Sequence, residues 1–217
     1  MPEEINIKDL KILIADDHSV VRQGLKQIIL EEFPTALVEE AVTGNETLEQ
    51  ARNNDFNVII LDITMPGKNG LEILKQLRSE SIKTPVLILS MHAENQYAIR
   101  VLKSGAFGYL TKESASEELI MAIKRVLRGR KYITETIAEQ LATDFDNPAN
   151  KPLHQLISDR EFQVLCLIAN GKTVSEIAEE LFLSVPTIST YRARILEKMN
   201  MKNNAELTHY AIQQGLV

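Results

Sequence analysis

In the first 130 residues, apolar positions cluster in short runs separated by stretches of helical spacing. The runs are 10–15, 36–41, 58–61, 85–90 and 106–110. Val58-Ile59-Ile60-Leu61 contains three β-branched residues and no polar break, which predicts a strand buried on both faces. It ends on Asp62 and breaks at Pro66-Gly67, a turn signal. Between the runs, Val20, Val21, Leu25, Ile28 and Ile29 recur at helical spacing, and Asp17 is placed to cap that helix. Further helices are predicted over 47–52, with Leu48 and Ala51 inward, over 70–78, with Leu71, Leu74 and Leu77 inward, and over 94–103. Ser114 with Glu117 three residues on predicts a capping box opening a helix to about Leu127. Strands alternating with helices five times predict a parallel five-stranded sheet with helices on both faces, in the flavodoxin-like order.

The pattern changes after that. The basic run 124–131 closes a helix and fits that helix's negative end. Thr134 predicts a cap for a short helix over 137–142. Residues 144–152 hold two prolines and no periodicity, and read as an exposed linker. Beyond it every segment is helical. Ser158 and Glu161 form a capping box before the stripe Phe162, Leu165, Ile168, Ala169, which Asn170-Gly171 ends. Val174, Ile177, Ala178 and Leu181 predict a helix of about ten residues. Ser184 caps the next helix, with Pro186 in its first turn and Ile188, Tyr191, Ile195 and Met199 on one face. Asn203 or Asn204 opens the last, with Leu207, Tyr210 and Ala211 inward. The expected organisation is an α/β domain over 1–130, a linker with a short helix over 131–152, and an all-α four-helix helix-turn-helix domain over 153–217.

Composition narrows the class. The chain has 217 residues, 44% of them hydrophobic and 25% charged, with a net charge of −6. These are ordinary values for a globular protein. Cys166, the lone cysteine, excludes a disulfide framework and reads as a small core residue. Met1-Pro2-Glu3-Glu4 lacks the plan of a signal peptide, and no apolar run approaches the ~20 residues that span a bilayer. A cytoplasmic protein without a membrane association is expected.

Candidate chemistry lies at the strand ends. Taken alone, Asp62 reads as a carboxylate capping a loop. In a parallel sheet, however, the carboxyl ends share one edge, where such folds place their ligands. That edge would collect Asp16 and Asp17, Asp62, Ser90 and Lys112. Three clustered carboxylates call for a cation, and oxygen ligands suit Mg²⁺. A lysine and a hydroxyl beside them suit a phosphoryl group.

Asp16-Asp17, the stretch Leu61-Asp62-Ile63-Thr64-Met65-Pro66-Gly67, Ser90 and Gly108-Tyr109-Leu110-Thr111-Lys112 resemble the receiver domain of two-component response regulators, over roughly 8–128. The resemblance implies that Asp62 accepts phosphate from a sensor histidine kinase. It implies that Mg²⁺ is held by Asp17, Asp62 and the Thr64 carbonyl, with Asp16 acting through water. Lys112 would pair with phosphoryl oxygens, Ser90 would move to bond them, and Tyr109 would swing inward. Thr64 and His92 stand where receivers tune attack of water on the acyl phosphate. Glu113, rather than the proline common in receivers, follows Lys112.

Ser158-Asp159-Arg160-Glu161, Ile177-Ala178-Glu179-Glu180-Leu181 and Ser184-Val185-Pro186-Thr187-Ile188-Ser189 resemble the LuxR-type DNA-binding domain. Together the halves are similar to a NarL/FixJ-type response regulator. At about 100° per residue, Tyr191, Ile195 and Met199 fall within about 60° of Ile188, and Ser189, Thr190, Ala193 and Arg194 face away. Ser189, Thr190 and Ala193 are therefore candidates for base contacts, and Arg194 and Lys198 for phosphates. The helix starts at Lys172-Thr173 and at Ser184–Thr187 offer further phosphate contacts. Arg192, nearer the core face, is expected to pair with a glutamate of the preceding helix or to reach a phosphate from the rim. Serine, tyrosine and arginine at 189, 191 and 194 depart from the lysine, histidine and asparagine frequent in the family, so the base sequence read is its own. From Pro152 onward, six basic residues meet seven acidic ones. The domain is not globally basic, and DNA binding is expected to need a homodimer and to fall steeply with salt. The function implied is a transcription regulator that binds promoter DNA when phosphorylated. A constitutive DNA binder and an aspartyl-phosphate phosphatase are the alternatives. The phosphatase lacks the second acid commonly found two residues after the nucleophile, where Thr64 stands.

Overall fold

The computed structural model describes residues 10–91, 94–146 and 152–217, which divide into two compact units, Met1–Ala138 and Glu139–Val217. In the first, strands β1 (Lys11–Ala15), β2 (Leu37–Ala41), β3 (Val58–Asp62), β4 (Val86–Ser90) and β5 (Gly108–Thr111) alternate with helices α1 (Ser19–Glu32), α2 (Gly44–Asn53), α3 (Gly70–Ser79), α4 (Glu94–Lys103) and α5 (Ala115–Leu127). The strands form one parallel sheet in the order β2-β1-β3-β4-β5.

β3 lies at the centre and every one of its residues is buried, as its apolar run predicts. Alternation sends Ile12, Ile14, Val58, Ile60, Leu87 and Leu89 to one face. There they pack with Leu25, Ile29 and Phe33 of the α1 segment and Leu119, Ile123 and Val126 of α5. The residues between them, Leu13, Ile59, Leu61, Ile88 and Tyr109, are buried on the opposite face. The inner strands β1, β3 and β4 are covered on both faces and buried apart from Lys11, whereas Glu39 and Glu40 of the edge strand β2 are partly exposed.

Several expected boundaries move for local reasons. Thr43 accepts the Glu46 N–H and starts α2 at Gly44, three residues before the expected start at Thr47. Asp17 does not cap α1. His18 occupies that position without a side-chain cap, because the Asp17 carboxylate lies against the His18 ring instead. Ser114 makes no capping box with Glu117. Its backbone is already helical and its hydroxyl donates to Glu118, one turn on. β5 begins at Gly108 rather than Ala106, and its backbone neighbour beyond the strand is Tyr132, whose N–H donates to the Phe107 carbonyl. Lys124 pairs with Glu32 of α1 rather than serving only its own helix end.

Helix α6 runs Glu135–Asp146, with the Ile137 N–H on the Thr134 hydroxyl. It therefore takes in residues 144–146, which the sequence pattern assigns to the linker: they carry no proline and continue the helix. Residues 147–151 lie outside the described residues. The second unit continues with a 3₁₀ turn (Leu153–Gln155) and helices α7 (Asp159–Ala169), α8 (Val174–Glu180), α9 (Val185–Lys198) and α10 (Asn204–Gln213). α7 packs on α8, α9 and α10, and α8 on α9. α7 is buried from Arg160 to Ala169, polar positions included, and is not the one-faced helix its apolar stripe suggests. α8 is seven residues long rather than ten, since Leu181 already ends it and Phe182 turns left-handed, with φ of 54°.

Candidate functional site

The register of the sheet assembles the first site. Ala15 is paired with Leu61, so Asp16 follows β1 level with Asp62 at the end of β3. Ser90 is paired with Thr111, and the Lys112 N–H donates to the Ser90 carbonyl at 2.7 Å. Four strand ends thus deliver Asp16, Asp62, Ser90 and Lys112 to one edge, as the strand-end argument expects. Asp16, Asp62 and Ser90 are each 2% exposed or less.

The loop after Asp62 is shaped by glycine. Gly67 takes a φ of 83°, Asn69 forms a capping box with Glu72, and Gly70 donates to the Ile63 carbonyl at 2.9 Å. A Cβ on Gly70 would stand 2.2 Å from the Asp62 carbonyl oxygen, so no side chain fits there. The Thr64 amide dipole lies near enough to the Asp62 carboxylate to favour its charged form slightly.

Lys112 is the positive centre. Its Nζ lies 2.8 Å from Asp16 Oδ2 and 3.1 Å from Asp62 Oδ2, as ion pairs rather than aligned hydrogen bonds. Burial alone would lower the lysine's pKa, but the charges of Asp62 and Asp16 outweigh it and hold the ammonium above its ordinary value. Asp62 is left short of compensation. Burial pushes its carboxyl up to about 7, with Asp16 adding to the rise, while Lys112 and the Thr64 amide oppose it. Asp16 Oδ2, Asp17 Oδ1 and Asp62 Oδ2 are buried and accept no well-directed hydrogen bond among the described residues. A hard divalent cation answers that deficit, and a set of carboxylate oxygens fits Mg²⁺.

His18 joins this cluster, although the sequence argument gave it no role. Possible ligand atoms of Asp16, Asp17, His18 and Asp62 all lie within 4.8 Å of one another. Its signal was adjacency to the aspartate pair. Tyr109 is fully buried on β5, and thus already inward. His92 lies outside the described residues. The Lys112–Glu113 peptide is trans.

The second site is the exposed face of α9. Ser184 accepts the Thr187 N–H, and Pro186 stands in the first turn. Ile188 and Ile195 are buried, Tyr191 is half-buried, and Ser189, Thr190, Ala193 and Arg194 are exposed together. The Thr190 hydroxyl donates to the Pro186 carbonyl at 2.9 Å, and Thr187 shares a 2.7 Å hydrogen bond with Ser184. Other candidates are engaged inside the chain. Lys198 Nζ lies 2.7 Å from Glu161 Oε2, and Lys172 pairs with Glu180. Thr173 caps α8 and exchanges hydrogen bonds with Glu176. Arg192 does not meet a glutamate of α8: its Nε donates to Asn204 Oδ1 at 2.5 Å, tying α9 to α10.

Comparison with known proteins matches both units. The model of the response regulator receiver domain matches residues 12–124, and that of the bacterial regulatory proteins of the luxR family matches residues 155–211. The response regulator UvrY of Escherichia coli (strain K12) is 36% identical over 209 residues, covering 95% of each chain. The oxygen regulatory protein NreC of Staphylococcus carnosus is 36% identical over 216 residues, covering 96% of this chain and 99% of that protein. The two-component response regulator RcsB, solved as a complex with DNA, is 27% identical with a TM-score of 0.56, covering 94% of this chain and 98% of that one.

Proposed function

The chain belongs to the two-component response regulators of the NarL/FixJ type, a receiver joined to a LuxR-type DNA-binding domain, and from that premise we propose that phosphorylation of Asp62 controls its binding to promoter DNA. The phosphate comes from a sensor histidine kinase, and the modified chain binds as a homodimer in the cytoplasm. No helix among the described residues is long and apolar enough to cross a membrane. The observation that carries the proposal is the Asp62 carboxylate at the end of β3, 3.1 Å from Lys112 Nζ, beside Asp16 and Asp17.

In the proposed transfer, an Asp62 oxygen attacks the phosphorus of a phosphohistidine. The P–N bond breaks and the histidine leaves with the bonding pair. Two negative groups must approach, so the chain's contribution is positioning and charge. Lys112 is already held beside Asp62 and needs little movement to meet a phosphoryl oxygen. Asp16, Asp17, Asp62 and the Thr64 carbonyl would hold Mg²⁺, which supplies further neutralisation of the phosphoryl oxygens. The product carries new charge and strong acceptors, which draw the Ser90 hydroxyl and the Lys112 ammonium and bias the β4–α4 and β5–α5 connections. Asp62 is here a phosphoacceptor with at most slow self-dephosphorylation, not the nucleophile of a turnover enzyme.

On DNA, Ser189, Thr190 and Ala193 face base edges and Arg194 a phosphate, with the starts of α8 and α9 against the backbone. Lys172 and Lys198 reach phosphates only by leaving Glu180 and Glu161. Genomic footprinting of the wild type against Asp62→Ala, with sedimentation of both in a small phosphodonor and Mg²⁺, tests the control. The expected result is occupancy and dimerisation that depend on Asp62. Unchanged footprints and a phosphodonor-independent dimer would support the constitutive alternative.

A further inference from the structure

The histidine at the mouth of the acidic cluster has a geometry of its own. The His18 side chain is 63% exposed, and Nδ1 lies 2.9 Å from Asp17 Oδ1 and 3.2 Å from Asp16 Oδ1. It stands at the cap position of α1 but makes no cap bond, so the ring is not committed to the helix. Two ligand atoms on neighbouring corners of an octahedral ion, each about 2.1 Å from it, stand about 3.0 Å apart. Both His18 separations fall around that edge length. The buried Asp16 Oδ2, Asp17 Oδ1 and Asp62 Oδ2 accept no well-directed hydrogen bond among the described residues. The Asp16 and Asp62 oxygens lie 2.8 and 3.1 Å from Lys112 Nζ, with which a cation here would share them, and the Asp17 oxygen lies against His18. One cation among these oxygens would therefore have an imidazole nitrogen at coordinating distance without rebuilding the loop.

We propose that His18 is a nitrogen ligand to the cation of this site and sets its preference for a first-row transition ion, Ni²⁺ over Mg²⁺. Imidazole binds Ni²⁺, Zn²⁺ and related ions well, whereas Mg²⁺ favours oxygen and retains water. With the proton on Nε2, Nδ1 offers its lone pair inward, between Asp16 and Asp17. Asp16, Asp17 and Asp62 supply the charge for either ion, and His18 distinguishes them. The inference rests on the reading of these three aspartates as a divalent-cation site.

The test uses the full chain stripped with a chelator. Calorimetric titration with NiCl₂ and MgCl₂ is run on the wild type, His18→Ala, His18→Gln and Asp17→Asn, and pulsed EPR on the Mn²⁺-loaded wild type and His18→Ala. His18→Ala and His18→Gln should each weaken Ni²⁺ by about tenfold or more and change Mg²⁺ by less than about threefold. The wild type should show ¹⁴N coupling to Mn²⁺ that His18→Ala abolishes. An unchanged Ni²⁺:Mg²⁺ ratio, or no ¹⁴N coupling in the wild type, overturns the role of His18. If Asp17→Asn alters neither ion's affinity, the cation-site reading itself fails. Loss of Mg²⁺ in Asp17→Asn with Ni²⁺ indifferent to His18 rejects the histidine alone.

Discussion

Lys112 and Lys198 each reach a buried carboxylate, one in each unit, and the two pairs are built in opposite senses. Glu161 closes a capping box. Its Oε2 accepts the Ser158 N–H at 2.7 Å and Lys198 at 2.7 Å, and Oε1 receives Lys198 at 2.9 Å. Burial alone would raise its pKa, but Lys198 and Ser158 prevail and hold it below the ordinary glutamate value. Asp62 has one lysine to share with Asp16, and its carboxyl rises to about 7, chiefly through burial. A buried carboxylate whose acceptors are filled holds helices together. One whose acceptors are left open stores a demand for positive charge, which a cation and a phosphoryl transfer can use.

That contrast breaks most sharply under substitution of Glu161. Glu161→Ala strands the Ser158 N–H and releases Lys198, and should destabilise the second unit by about 3 kcal/mol. Hydrogen exchange of α7 and α9 amides in the full chain reads this as faster exchange. No change would mean that Glu161 is as dispensable as a surface residue.

Mg²⁺ should act on the other unit alone. At a hundredfold excess over its Kd it adds about 2.7 kcal/mol to the stability of the first unit, seen as slower exchange in β1 and β3. The effect should vanish in Asp62→Asn.

Without metal, Asp62→Asn should itself stabilise the first unit, by about 2 kcal/mol at pH 8. The folded-state pKa of Asp62 lies above its unfolded value. Its favourable contribution is thus complete below about 4 and is lost as pH rises through about 7. The advantage of Asn over Asp should shrink as pH is lowered toward 5. Glu161 runs the other way: its contribution is present above 4.5 and is lost as pH falls below that. Exchange in the two units should therefore respond to acid with opposite signs at these two positions.

The smallest effect concerns DNA. Arg194→Ala should reduce the salt slope of binding by about 1, as for one lost phosphate contact. Lys198→Ala should change it by much less, because Lys198 already neutralises Glu161. Equal slopes would show that Lys198 leaves Glu161 on DNA.

Much of this was legible in the sequence, and the rest was hidden for identifiable reasons. The β3 run and its terminal Asp62 are local and strongly patterned, and parallel topology alone brings Asp16, Ser90 and Lys112 to the same edge. Ser158-Glu161 announces its capping box because both partners lie within one turn. Lys198 looked like a phosphate ligand because its partner stands 37 residues away, on a helix whose periodicity concealed that it is buried all round. His18 was adjacent to the site from the start. Nothing in the pattern of positions, however, told a solvated histidine from one turned back onto Asp16 and Asp17. Asp17 was read both as a cap of α1 and as a member of the strand-end cluster, and the structure places it in the cluster and not at the cap.

The central claim is that Asp62 is the group modified. The most direct measurement is mapping of the covalent phosphate after incubation of the full chain with a small phosphodonor and Mg²⁺. Peptide mass spectrometry should be run in parallel on Asp62→Ala and on chelator-treated wild type. The account predicts one acid-stable, base-labile phosphate on the peptide containing Asp62, absent from both controls. Phosphate on another residue, or incorporation that survives Asp62→Ala, would contradict it.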